Sequence, residues 1–133
     1  MTARFFADTN VVLYTIGTDE RKREVARGIL ARNPEVSAQV INEAVNVCLR
    51  RFSFSRERAY AFADSVMRRV DVLPVGESTI RKGAEIAMRH QLSNWDALIV
   101  AAALLAGCDT LYSEDLQHGP VFENCLAVVN PFL

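Results

Sequence analysis

Four carboxylates, Asp8, Glu43, Asp96 and Asp115, lie far apart in this chain but at positions an α/β fold can gather on one rim. Asp8 closes the apolar run Arg4-Phe5-Phe6-Ala7. Asp96 opens the long apolar stretch that continues from Ala97 to Leu105, and Asp115 follows the short run Thr110-Leu111-Tyr112. Glu43 sits inside the mostly apolar segment Ala38 to Phe52. Like charges brought together repel and call for a cation, so a divalent-metal site is the leading chemistry. A set of oxygen donors without cysteine or histidine suits a hard ion, Mg²⁺ or Mn²⁺, rather than zinc. Such an ion orients a water, lowers its pKa and neutralises charge growing on a phosphodiester.

Each acid also has an ordinary structural explanation. Asp8 or Thr9 suits the N-cap of the helix that follows, although an acid ending a buried strand is costly unless paired. Glu43 lies at the edge of its helix's apolar arc and equally suits a surface pair with Arg50 or Arg51. Ser93-Asn94-Trp95-Asp96 resembles a capping box with Asp in place of Glu or Gln. Asp115 suits a turn, and Glu114 beside it competes for any ligand role. Only the set of four is persuasive.

The elements that must position these residues alternate between strand-like and helix-like patterns. Arg4 to Ala7, Glu35 to Ser37, Val70 to Pro74, Thr110 to Tyr112 and Leu126 to Val129 read as strands. Asn10 to Tyr14, Glu20 to Ala31, Ala38 to Phe52, Ser55 to Arg69, Ser78 to His90 and Ser93 to Ala106 read as helices. Ile80, Ala84, Ala87 and Met88 form the expected inward face of the fifth helix, and Tyr60, Phe62, Val66 and Met67 the apolar positions of the fourth. The last helix is apolar all round, which implies full burial, and Gly107 ends it. Alternation of this kind predicts a three-layer α/β/α sandwich around a parallel sheet of about five strands. Sites in such sheets form beyond the strands' carboxyl ends, where strand order reverses. Asp8 and Asp115 fall at such ends, and Asp96 and Glu43 lie early in helices that can start on the same rim.

Bulk properties narrow the class. The 133 residues, half of them hydrophobic, fit one compact domain spanning 1–133. A formal net charge of −1 gives no global pull toward nucleic acid or membrane, so a polyanion must be held locally. Cys48, Cys108 and Cys125 form no CxxC pair, and neither His90 nor His118 stands at zinc-ligand spacing to them. Reduced thiols in a soluble cytoplasmic protein are expected. The first residues reach an acid too early for a secretory signal, and the longest apolar run is about half a membrane span.

The segments Phe6-Ala7-Asp8-Thr9-Asn10, Gln39-Val40-Ile41-Asn42-Glu43, Trp95-Asp96-Ala97-Leu98-Ile99-Val100-Ala101-Ala102-Ala103 and Leu111-Tyr112-Ser113-Glu114-Asp115 together resemble the PIN domain. Among its members the chain looks most like the compact bacterial VapC-type toxins of toxin–antitoxin pairs. The resemblance runs along essentially the whole chain. It implies that Asp8, Glu43, Asp96 and Asp115 are the acidic metal-site positions and that Asn10 and Ser113 are the polar neighbours supporting them. It also implies a metal-dependent endoribonuclease acting on tRNA or ribosomal RNA, a homodimer, and a cognate antitoxin whose peptide blocks the site.

Basic residues cluster at Arg21-Lys22-Arg23, Arg50-Arg51, Arg56 with Arg58, Arg68-Arg69 and Arg81-Lys82. Arg50 and Arg51, two turns beyond Glu43 on its helix, are the first choices for RNA contact. Two other readings remain open. An aspartyl-phosphate enzyme with Asp8 as nucleophile lacks the second acid that such sites place near Asn10. A non-catalytic RNA- or protein-binding PIN-like module has no need of four acids.

Overall fold

The computed structural model describes residues 3–133. Strand β1 (Phe5–Ala7) leads into helix α1 (Thr9–Tyr14) and α2 (Glu20–Leu30). Strand β2 (Glu35–Ser37) runs directly into α3 (Ala38–Arg50), followed by α4 (Arg56–Met67), β3 (Asp71–Leu73), α5 (Glu77–His90) and α6 (Asn94–Leu105). The chain ends with β4 (Thr110–Tyr112), β5 (Val121–Phe122) and β6 (Leu126–Val129).

The strands form one sheet in the order β3-β2-β1-β4-β6-β5, parallel throughout except for β5 against β6. This is the expected sandwich with one strand more than the sequence pattern gives. Val121–Phe122 is too short to carry a period and turns back on β6 through Glu123 and Asn124, both in the left-handed conformation. The chain leaves β1 toward β2 on one side and returns to pair β4 on the other. The crevice between the carboxyl ends of β1 and β4 is therefore the point where strand order reverses. There Ala7 pairs with Tyr112, and the Asp8 amide donates to the Tyr112 carbonyl at 3.0 Å.

Phe6, Val36, Leu111 and Val128 are completely or almost completely buried, as a sheet covered on both faces requires. Helix α6 packs on β2 and β4 and is buried from Ala97 to Ala103, in line with its all-round apolar character. It ends in a Schellman motif: Cys108 N donates to Ala103 O and Gly107 N to Leu104 O, with Gly107 at φ +75°.

Helix α5 differs from its expected orientation. Ile80 and Met88 are 57% and 74% exposed, and Ala84 is exposed as well, whereas Thr79, Gly83 and Ile86 face inward. Gly83 decides this. A Cβ built there lies 3.1 Å from Leu98 Cδ2, so the glycine lets α5 press closely on α6 and centres the contact stripe on itself. Helix α4 behaves similarly: Ala59, Ala63 and Val66 are buried, while Tyr60 and Met67 remain exposed.

One buried acid lies apart from the four. Glu35 at the start of β2 accepts from the Cys108 thiol at 3.1 Å and lies 3.7 Å from Arg4. Burial, followed by the Glu35 contact, raises the Cys108 thiol pKa. Cys48, Cys108 and Cys125 are all free. No helix among the described residues is long and apolar enough to cross a membrane. Replacing Gly83 by Val should force α5 away from α6 and destabilise the fold by about 1–3 kcal/mol, read as a lower urea midpoint.

Candidate active site

Asp8 follows β1 without a break and is only 6% exposed. One carboxylate oxygen accepts from the Thr9 amide at 2.7 Å, and the other accepts from the Ser113 hydroxyl at 2.8 Å. That serine follows β4 directly, so strand pairing delivers both residues to the same crevice. Its oxygen accepts in turn from the amides of Asp115 and Leu116, each at 3.2 Å. One hydroxyl thus ties the buried acid to the loop that carries Asp115.

Helix α3 starts at the end of β2, where the Ser37 hydroxyl caps Val40 N, and it carries Glu43 into the same rim. The Thr9 hydroxyl donates to one Glu43 oxygen at 3.0 Å, and the Gln39 amide donates to the other at 3.0 Å. The same Gln39 nitrogen reaches the Trp95 carbonyl at 3.2 Å, which fastens the start of α6 to α3. Asp96 occupies the first turn of α6, with its amide held by the Ser93 hydroxyl at 3.1 Å. The capping explanation therefore holds for Asp96, whose amide and carboxylate both engage Ser93, and its side chain stays partly exposed.

Electrostatics link these groups. Burial, with smaller contributions from Asp115 and Glu43, raises Asp8 from its ordinary 3.8 to about 6 against the two hydrogen bonds that favour its charged form. Burial also raises Asp96, against the Ser93 hydrogen bond that favours its charged form, with Asp115 and Glu43 adding smaller increments. Glu43 and Asp115 are thus the members common to both neighbourhoods. Among the described residues, none of the ion pairs involves Asp8, Glu43, Asp96 or Asp115.

Residues 5–119 match the model of the PIN domain. The chain belongs to the PIN-domain family. No curated protein sequence is significantly similar to it. In fold, this PIN domain is similar to VapC20 of Mycobacterium tuberculosis, a sarcin-ricin loop cleaving toxin, with 22% identity and a TM-score of 0.67 over 84% of this chain and 89% of that one. It is also similar to VapBC2 from Rickettsia felis, solved with a promoter DNA fragment, with 16% identity and a TM-score of 0.71 over 95% and 98% of the two chains. A toxin–antitoxin complex from Klebsiella pneumoniae has the same identity, 16%, and TM-score, 0.71, over 98% of each chain.

Beside Asp115, Glu114 in this PIN domain is engaged elsewhere. It accepts from Lys22 Nζ at 2.7 Å and from the Tyr14 hydroxyl. Burial opposes its ionisation, but these two donors outweigh it and hold the carboxyl below its usual range. Asn10, read from sequence as a supporting residue, accepts from the Glu114 amide at 3.1 Å and fixes the turn before Asp115. Its Nδ2 and the Oε1 of Gln39 are buried without hydrogen-bond partners. The contacts that Lys22 and Tyr14 make with Glu114, and Thr9 and Gln39 with Glu43, were not read from the sequence. Gln39 alone carried a local signal, lying one helical turn before Glu43.

A cleft of about 840 Å³ runs from Thr9, Glu43 and Asp115 along Leu13, Tyr14, Ile16, Val47, Phe52 and Phe54. Arg51 lines it, as does Arg58, whose guanidinium lies 3.8 Å from the centre of the Phe54 ring. Of the two arginines singled out from sequence, Arg51 therefore shares the cleft with the acids, while Arg50 is exposed outside it.

Between pH 3.8 and about 6 the folded protein holds a proton on Asp8 that the unfolded chain has released. Metal-free stability should therefore fall as pH rises through that window, by about 3 kcal/mol from this group. The difference between wild type and Asp8→Asn in chelator, followed by denaturant melts at stepped pH, isolates the effect. A flat difference contradicts it. Ser113→Ala removes one donor to Asp8 and strands the Asp115 and Leu116 amides, and should cost about 1–3 kcal/mol by the same measurement.

Proposed function

We propose that this PIN domain is a divalent-metal-dependent endoribonuclease acting as the toxin of a type II toxin–antitoxin pair. The observation that supports the reading is the buried Asp8 carboxylate at the strand crossover, with Glu43 and Asp115 acting on its ionisation and on that of Asp96, and no cationic side chain paired to any of the four among the described residues. A buried acid lacking a cation is unfavourable unless an ion completes it.

The donor set fits Mg²⁺ or Mn²⁺, being all oxygen and partly open to solvent. Asp8 and Asp96 are assigned as the principal ligands, with Glu43 and Asp115 positioning water or a further ion. When bound, the ion supplies charge neutralisation and an acidified water for in-line attack on a phosphodiester. The chain's own contribution is orientation. Ser113 and Thr9 N fix both oxygens of Asp8, Thr9 Oγ1 and Gln39 aim Glu43, and Asn10 with Ser113 sets the loop that presents Asp115.

The apolar cleft ending at Glu43 and Asp115 supports the antitoxin side of the reading. An extended peptide with apolar side chains suits Leu13, Ile16, Val47 and Phe52, and it would cover the acids at one end. Solved relatives of like fold include toxin–antitoxin complexes. The homodimer and the tRNA or ribosomal RNA substrate belong to the same proposal.

A non-catalytic RNA- or protein-binding PIN module is the second reading. On its side is the absence, among the described residues, of any three His, Cys, Asp or Glu side chains close enough to share one ion. Magnesium usually takes one or two carboxylates, keeps several waters and recruits substrate phosphate, so a closed protein cage is not required for the first reading.

The purified chain should cleave structured RNA with Mg²⁺ or Mn²⁺, and chelator should stop it. Asp8→Asn or Asp96→Asn should lower the rate by about a hundredfold or more. The same ions should raise the wild-type melting temperature by several degrees and that of Asp8→Asn by much less. RNA bound but never cut, with melting curves insensitive to metal, selects the binding module instead.

A further inference from the structure

Trp95 is the one tryptophan of the chain, and it is 63% exposed although it sits one residue before Asp96. An indole left in water forgoes a burial contribution that few side chains can match, whereas the middle of α6, Ala97 to Ala103, is buried. The exposure is also fixed in place. Gln39 Nε2 bonds the Trp95 carbonyl and Glu43 together, and Ser93 caps the turn, so the ring projects from a backbone tied to the acid cluster. Successive helical side chains diverge by roughly 100°. The Trp95 side chain therefore leaves the helix in a different direction from that of Asp96, while its carbonyl stays tied to Glu43 through Gln39.

We propose that Trp95 is a stacking platform for an unpaired base of the RNA, next to the phosphate held over the acids. The proposal rests on the nuclease reading above and deepens it, since it names the side chain that would hold a base of the substrate. The chemistry is direct. Phosphate and base belong to the same nucleotide and lie one sugar apart, so an exposed ring near the acids can meet the base of the nucleotide whose phosphate they hold. Every base has a π-face, and single-stranded RNA is commonly recognised by aromatic side chains on which splayed bases stack. Duplex RNA keeps its bases stacked on one another and offers Trp95 nothing.

Because the chain holds no other tryptophan, its intrinsic emission reports on Trp95 alone. The test titrates Asp8→Asn protein in Mg²⁺ with single-stranded and with duplex RNA, following emission and, separately, the anisotropy of end-labelled RNA. Single-stranded RNA should quench the emission with the same midpoint that anisotropy gives, and duplex should not. In the same background Trp95→Ala should weaken single-strand binding between about fivefold and a hundredfold, with Trp95→Phe retaining most of it. Circular dichroism checks that both variants remain folded.

Single-strand binding by anisotropy with unchanged emission, or with full affinity in Trp95→Ala, overturns the stacking role and leaves the nuclease reading standing. Emission that follows protein concentration rather than RNA also overturns it and assigns Trp95 to contact between copies. Absence of binding to any RNA, with no cleavage by wild type, overturns both.

Discussion

Everything at the site depends on holding one carboxylate out of water at the end of the central strand. Asp8 is flanked by β2 on one side and β4 on the other, so it cannot retreat to solvent without unpairing the middle of the sheet. Two hydrogen bonds, from Thr9 and Ser113, favour its charge but do not offset burial, and the acid remains harder to ionise than usual. Neighbouring acids add to that difficulty rather than relieve it. The fold thus spends stability to keep an anion where a cation or a proton is the natural completion.

The surrounding polar side chains make sense in that light. Thr9, Gln39, Asn10 and Ser113 are neutral, and each orients an acid, or the loop bearing one, without neutralising it. The cationic residue nearest in role, Lys22, is committed to Glu114 and the Tyr14 ring. Glu114 takes up the positive charge of Lys22, and the adjacent Asp115 is left without an ion pair among the described residues.

Much of this was legible in the sequence because acids at strand ends and helix starts are fixed by topology. Asp8 and Asp115 follow apolar runs whose ends the pattern marks, and β2, β4 and β6 fall where the residues indicate. The engagement of Glu114 was not legible, since it depends on Lys22, distant by 92 residues. Nor was the face of α5, because a helical period counts apolar residues and cannot see that Gly83 sets the closest approach. Strand β5 escaped for a plainer reason: two residues have no period. Exposure of Trp95 was also hidden, as an aromatic beside an apolar helix reads as core.

The strands at the two rims of the sheet bear on how this molecule can meet others. Asp71–Leu73 and Val121–Phe122 are only three and two residues long. An edge so brief offers a neighbour almost no free amides or carbonyls along which to lengthen the sheet. Association must therefore be written in side chains displayed by helices and loops, where point substitutions can retune one pairing against another. A family of such molecules can diverge in whom it recognises while its backbone framework stays the same.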